Sequence, residues 1–156
     1  MTAPEPRFDD FYREIILDHY RRPRNRGALE HPTQRVEGMN PVCGDEIRLD
    51  LDIEQGVVKD IAFDGQGCSI SQSSASMLTE RLKGRPIAEV KQVIGKFRAM
   101  LIDGSSPDPE LGDLESLEGV AKLPVRVKCA LLCWNVLQQG IEQSNTAPGE
   151  ETKTNG

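Results

Sequence analysis

The residue order from Glu46 to Ile53 constrains the fold more than any other stretch. Ile47, Leu49, Leu51 and Ile53 alternate with Glu46, Arg48, Asp50 and Asp52, a period of two that a half-buried β-strand satisfies and a helix does not. Gln55-Gly56 supplies a turn, Val57, Val58, Ile61 and Phe63 a returning strand, and Thr33 to Met39 a weaker further strand. Gly65 and Gly67 end the run. The expected product is a small antiparallel sheet of about three strands.

Helical spacing brackets this stretch on both sides. Phe8, Phe11, Tyr12, Ile15, Ile16, His19 and Tyr20 fall on one helical face, closed by Pro23, with Asp9, Asp10 and Glu14 early and Arg21 and Arg22 late, the charge order that suits a helix dipole. His19 on that face reads as a packing histidine with no chemistry of its own. Ile70, Ser73, Ser74, Met77, Leu78 and Leu82 form a stripe before Gly84, and Pro86 to Leu101 continues as another helix. Asp103 to Leu123 begins as a loop and holds a short helix near Leu114 to Val120. Pro124 opens a last helix running to about Glu142. One domain over residues 1–142 and a polar, disordered tail over residues 143–156 complete the expectation.

Charge and hydropathy exclude several classes of function. There are 19 Lys and Arg against 25 Asp and Glu, a net charge of −6, which argues against a nonspecific nucleic-acid binder. The basic run Arg21 to Gly27 is the local exception, and it lacks the interleaved aromatics that stack bases. An acidic protein surface or plain solvation suits it better. The strongest apolar stretch, Cys129 to Val136, is interrupted at Asn135 and falls far short of the roughly 20 residues a membrane span needs. The N-terminal residues carry no apolar signal region, so the expected compartment is the cytoplasm, with no membrane partner.

A reducing compartment turns the four cysteines toward metal ligation or sulfur chemistry rather than disulfides. Cys43 lies in a turn between Pro41 and Gly44. Cys68 stands at the expected N-terminus of a helix, where orphan amides favour a thiolate. Cys129 and Cys133 are four apart on the last helix and share a face. Thiolates of this kind select zinc. The spacing leaves the fourth ligand open between Asp45 and Cys133, and it also leaves open that Cys133, beside Leu131, Leu132 and Trp134, is a small core hydrophobe. Arg126 and Lys128, next to Cys129, are placed to balance a net negative cluster. A zinc hydrolase is disfavoured, because His19 and His31 are remote from the cysteine motifs and there is no H-E-x-x-H helix.

Four segments carry a family resemblance: Ile-Leu-Asp-His-Tyr-Arg-Arg-Pro-Arg-Asn-Arg-Gly, Asn-Pro-Val-Cys-Gly-Asp, Gly-Gln-Gly-Cys-Ser-Ile-Ser-Gln-Ser-Ser-Ala-Ser-Met-Leu and Pro-Val-Arg-Val-Lys-Cys-Ala-Leu-Leu-Cys-Trp. From Tyr12 to Gly140 the chain resembles the SufU-type proteins within the IscU/NifU family of iron–sulfur cluster assembly factors. The resemblance implies an α+β fold with a small antiparallel sheet packed on helices. It implies zinc held by Cys43, Asp45, Cys68 and Cys129, and no role for Cys133. Where scaffold members carry a histidine before the third cysteine, this chain has Lys128, and Asp103 to Leu123 matches the SufU-type insertion. The implied function is zinc-dependent acceptance of persulfide sulfur at Cys43 from a SufS-type cysteine desulfurase, whose histidine takes a zinc position on docking, with downstream Suf assembly proteins as further partners. An assembly scaffold carrying transient iron or an iron–sulfur cluster is the alternative.

Overall fold

The computed structural model describes residues 10–144. Helix α1 spans Asp10–Arg21, followed by strands β1 (Gln34–Asn40), β2 (Asp45–Glu54) and β3 (Val57–Gln66), then helices α2 (Ser69–Leu82) and α3 (Ile87–Arg98). A π-helical turn (Ala99–Asp103) and a 3₁₀ segment (Pro109–Lys122) lead into the long helix α4 (Pro124–Ser144). The three strands pair antiparallel in the order β1-β2-β3, so the α+β architecture is the one the alternation dictates. Phe8 and residues 145–156 of the expected tail lie outside the described residues. Gln143 and Ser144, placed in the tail by the sequence, extend α4 instead.

The register explains which side chains meet. Val36 faces Leu49, Leu49 faces Phe63 and Leu51 faces Ile61, and all of them are buried against α2 and α4. The β2–β3 turn places Gln55 and Gly56 both at positive φ, the two-residue turn whose twist suits an antiparallel hairpin. Helix α2 departs from the single stripe its sequence suggests. It is buried on every side from Ile70 to Thr79, because α1, α4, β3 and the 3₁₀ segment surround it. Its serines stay compatible with burial by bonding outward. The Ser74 hydroxyl donates to the carbonyl of Ala130 at 2.8 Å and accepts from Trp134 Nε1 at 3.0 Å, while Trp134 stacks on Phe97 at 4.6 Å.

The polar face of β2 is less solvated than the alternation implies. Asp50 is fully buried under the chain that crosses from Asn25 to Leu29, and it accepts from Arg35 at 2.8 and 2.9 Å and from the Leu29 N–H at 3.0 Å. Burial pushes its carboxyl up, but Arg35, the Leu29 amide and Arg48 outweigh that and hold it below the usual range. Three of the four arginines in the basic run are likewise paired within the fold. Arg22 and Arg24 pair with Asp18, and Arg26 with Asp64 and the Gly65 carbonyl.

Helix α4 lies close on β1 because glycine occupies both sides of the contact. A Cβ on Gly38 would stand 2.6 Å from Val136 Cγ2, and one on Gly140 would stand 2.8 Å from Leu51 Cδ1. Val136 is β-branched and stiff, whereas the end of Leu51 can swing aside and a helical alanine also gains propensity. Gly38→Ala is therefore expected to cost about 1–2 kcal/mol through overpacking, and Gly140→Ala less, with denaturant midpoints as the measure.

Candidate metal centre

Three separate stretches of chain bring their functional side chains to one end of the sheet. Cys43 sits on the turn between β1 and β2, where its N–H donates to the Asn40 carbonyl at 3.2 Å and Asn40 Nδ2 lies 3.6 Å from its sulfur. Asp45 is the first residue of β2, paired with Asn40 and in phase with Ile47, Leu49 and Leu51. That parity turns its carboxylate inward, to the buried face of the sheet, where it has no exposure to solvent. Cys129 lies in the second turn of α4, buried, with Val125 one turn before it.

Cys43, Asp45 and Cys129 each present a ligand atom within 4.8 Å of the others. The two sulfurs are 2.7 Å apart and unbonded, since a disulfide would hold them at about 2.05 Å. All four cysteines are free. Cys68 stands beside the trio as the N-cap of α2, its sulfur accepting from the Ser71 N–H at 3.5 Å. Its own N–H donates to Asp45 Oδ1 at 2.9 Å. Cys133 is on the opposite side of the story told by its spacing: it packs against Ser74 inside the core, 3.6 Å from that hydroxyl, and is not among the converging ligand atoms.

The electrostatics of the site ask for a cation. Asp45 Oδ2 is buried and has no hydrogen-bond partner, a costly state for a carboxylate oxygen unless a positive charge meets it. Burial first, then the hydrogen bond its thiol donates to Cys43 and the nearby Asp45 and Cys68, push the Cys129 thiol far up from its ordinary value. A bound cation favours the thiolate at such a position. The Arg126 guanidinium is held above its ordinary value by the charges of Cys68 and then Cys129, against the opposing effect of burial. Cys133, fully enclosed, is pushed up to about 12 by burial, with Ser74 opposing, and is inert. Two converging thiols and a carboxylate with one unmet oxygen are donors of the kind zinc takes, whereas the Cys68 sulfur is not among the converging atoms.

Two supporting residues escaped the sequence reading. Gly67 (φ +151°) leaves the space that Asp45 occupies, since a Cβ there would stand 2.2 Å from Asp45 Oδ1. Asn40 reaches the Cys43 sulfur and also accepts the Val42 N–H at 3.2 Å. The signal for Gly67 was present as a glycine directly before Cys68, whereas nothing local marks Asn40.

The model of the NifU-like N terminal domain matches residues 11–149. A zinc-dependent sulfurtransferase SufU of Bacillus subtilis is 44% identical over 135 residues, covering 85% of this chain and 90% of that protein. An iron–sulfur cluster assembly scaffold protein IscU of Streptococcus pyogenes is 37% identical over 142 residues, covering 90% of this chain and 89% of its own length. Among solved structures, a candidate iron–sulfur cluster assembly scaffold protein for the SUF system from Fervidobacterium islandicum superposes with a TM-score of 0.77 at 31% identity, over 82% of this chain and 94% of that one.

The Gly67 cradle yields a direct expectation. Gly67→Ala forces a side chain into a backbone region that favours glycine and displaces Asp45, so metal affinity should fall about 10–100-fold. Competition with a chromophoric chelator measures it, and an unchanged affinity would remove Asp45 from the site.

Proposed function

The chain belongs to the NifU-like N-terminal domain family, and from that premise we propose that it is a zinc-dependent sulfur carrier of iron–sulfur cluster assembly, accepting persulfide sulfur at Cys43 from a SufS-type cysteine desulfurase. The observation that carries the reading is the convergence of Cys43 and Cys129 on a buried carboxylate whose Oδ2 has no partner. Cys43, Asp45, Cys68 and Cys129 would hold the zinc. Bound zinc supplies charge that keeps its thiolate ligands deprotonated yet dormant toward stray electrophiles.

The assignment of Cys43 as nucleophile follows from where the four groups are mounted. Asp45 is fixed in a paired strand, Cys129 in a helix and Cys68 at a helix cap with its sulfur already bonded. Cys43 alone rides on a turn, next to Gly44, and is half-buried. It can move outward while the others stay in place. In the transfer, the Cys43 thiolate forms a bond to the outer sulfur of the donor persulfide, and the inner donor sulfur leaves as a thiolate. Asn40 Nδ2, 3.6 Å from the Cys43 sulfur, is placed to donate a weak hydrogen bond to the charge on either side of that exchange.

A protein partner suits the surroundings of the site. Val42 and Val125, next to Cys43 and one turn from Cys129, are 73% and 56% exposed, an apolar rim of the kind a docking protein covers. Lys128 rather than histidine precedes Cys129, which favours the carrier over the scaffold role that the Streptococcus relative's name carries. No helix among the described residues is long and apolar enough to cross a membrane.

Mixing the purified chain with desulfurase and cysteine tests this reading. The zinc-loaded protein should gain one sulfur at Cys43 by mass, and Cys43→Ser should gain none. Cys129→Ser and Asp45→Asn should lose most of their zinc, whereas Cys133→Ala should keep it at the cost of a small core cavity. A brown preparation with charge-transfer bands, donating a cluster and taking no sulfur, would establish the scaffold role in its place.

A further inference from the structure

A second constellation of ligand-type groups lies where α1, α2 and the 3₁₀ segment meet, and the sulfur site makes no use of it. His19 is fully buried in α1. Its Nε2 is 2.9 Å from Asp113 Oδ2 and 3.5 Å from Glu80 Oε1, and all three ligand atoms lie within 4.8 Å of one another. The imidazole is 1% exposed, and the two carboxylates are 49% and 48% exposed. A buried nitrogen thus meets two carboxylates that are open to water.

The surroundings fix the orientation of each group. His19 Nδ1 is 2.7 Å from Ser76 Oγ, and that oxygen also accepts the Arg24 N–H at 2.8 Å. Arg24 places its Nε 3.7 Å from Glu80 Oε2, leaving Oε1 turned toward the imidazole, while its Nη2 is spent on Asp18 at 2.7 Å. Asp113 lines a cavity of about 340 Å³ with Met77, Glu80, Arg81, Arg85 and Leu111, which gives water and ions a way in, and the two arginines both pair with Glu89.

We propose that His19, Glu80 and Asp113 form a second metal site, for a divalent cation of nitrogen and oxygen preference, separate from the thiol centre. The site requires the tautomer in which Nδ1–H donates to Ser76, so that Nε2 turns a lone pair toward the two carboxylate oxygens. A dication seated there joins all three atoms, while Arg24 meets Glu80 on its other oxygen. The serine holding the far ring nitrogen is the outer support that metal-bound histidines require. One nitrogen and two oxygens, with water completing the shell, suit zinc, cobalt(II) or manganese(II), whereas the thiol centre selects for softer binding. Cys68 and Glu80 sit toward opposite ends of α2, about 18 Å apart at about 1.5 Å per residue, so the two sites can fill independently.

The test is a titration of the metal-stripped full chain with cobalt(II), followed by optical spectroscopy, proton NMR of the histidines and metal counting. The wild type should take two equivalents. One carries sulfur-to-cobalt charge-transfer bands, and one carries only weak bands and broadens the His19 signals. Asp113→Asn and Glu80→Gln, both at half-exposed positions, should lose the second equivalent and keep the first. Cys43→Ser should do the reverse, weakening the charge-transfer bands and keeping the His19 broadening. A single equivalent in the wild type, with His19 simply protonated between the two carboxylates, overturns the proposal, as does a second equivalent that survives in Asp113→Asn and Glu80→Gln alike.

Discussion

The carboxylate of Asp45 is the constraint on which the arrangement turns. It occupies an inward position in a row otherwise filled by Ile47, Leu49 and Leu51, and a charge there is unfavourable by several kcal/mol unless it is matched. The fold matches half of it. Oδ1 accepts the Cys68 N–H at 2.9 Å, while Oδ2 meets nothing. That bond ties the start of β2 to the start of α2, and Gly67 leaves the space the carboxylate fills. A core that retains an unmatched oxygen is less stable than one with a leucine in its place, and such a cost makes physical sense where a cation is to be received.

The same geometry divides three firmly mounted groups from one carried on a turn. Strand pairing, a helix body and a helix cap fix three of the donors, and a turn carries the fourth. Removing Cys43 from such a cage leaves the others in position, whereas moving Cys129 would require α4 to shift against β1, to which it is packed through Gly38 and Gly140. Close packing resists such shifts. Mounting therefore sets Cys43 apart from the other three groups.

Much of this was legible in the order of residues, and the rest was not, for identifiable reasons. Period-two alternation gave β2 and β3, Gln55-Gly56 gave their turn, and Gly67-Cys68 before a helical stripe gave the cap. Those are local signals. The burial of α2 on all sides depends on four neighbours distant in sequence, so its serines read as a polar face. Asp50 lies on the formally polar side of β2, yet a crossing loop buries it. The exclusion of Cys133 from the ligand group needed the direction of α4 relative to α2, because an i,i+4 pair shares a face without sharing a target. His19 read as a packing residue because Glu80 and Asp113, which meet it, lie 61 and 94 positions away along the chain.

The segment between α3 and α4 serves a site it does not touch. Pro109–Lys122 is held by Lys96 to Glu110 at 2.6 Å and to Asp108 at 3.3 Å, by Arg81 to the Glu110 carbonyl, and by the Tyr12 hydroxyl to Glu115. Leu111, Leu114, Leu117 and Val120 are buried beneath it. It ends at Leu123, whose carbonyl receives the N–H groups of Arg126 and Val127 in the first turn of α4. The direction in which α4 leaves that junction decides where Cys129 points two turns later. Individually the surface ion pairs are worth little, but the buried leucines make the segment a rigid abutment. A chain of contacts therefore runs from α1 and α3 through this segment to the base of α4, and the sulfur of Cys129 meets Cys43 because that base is fixed.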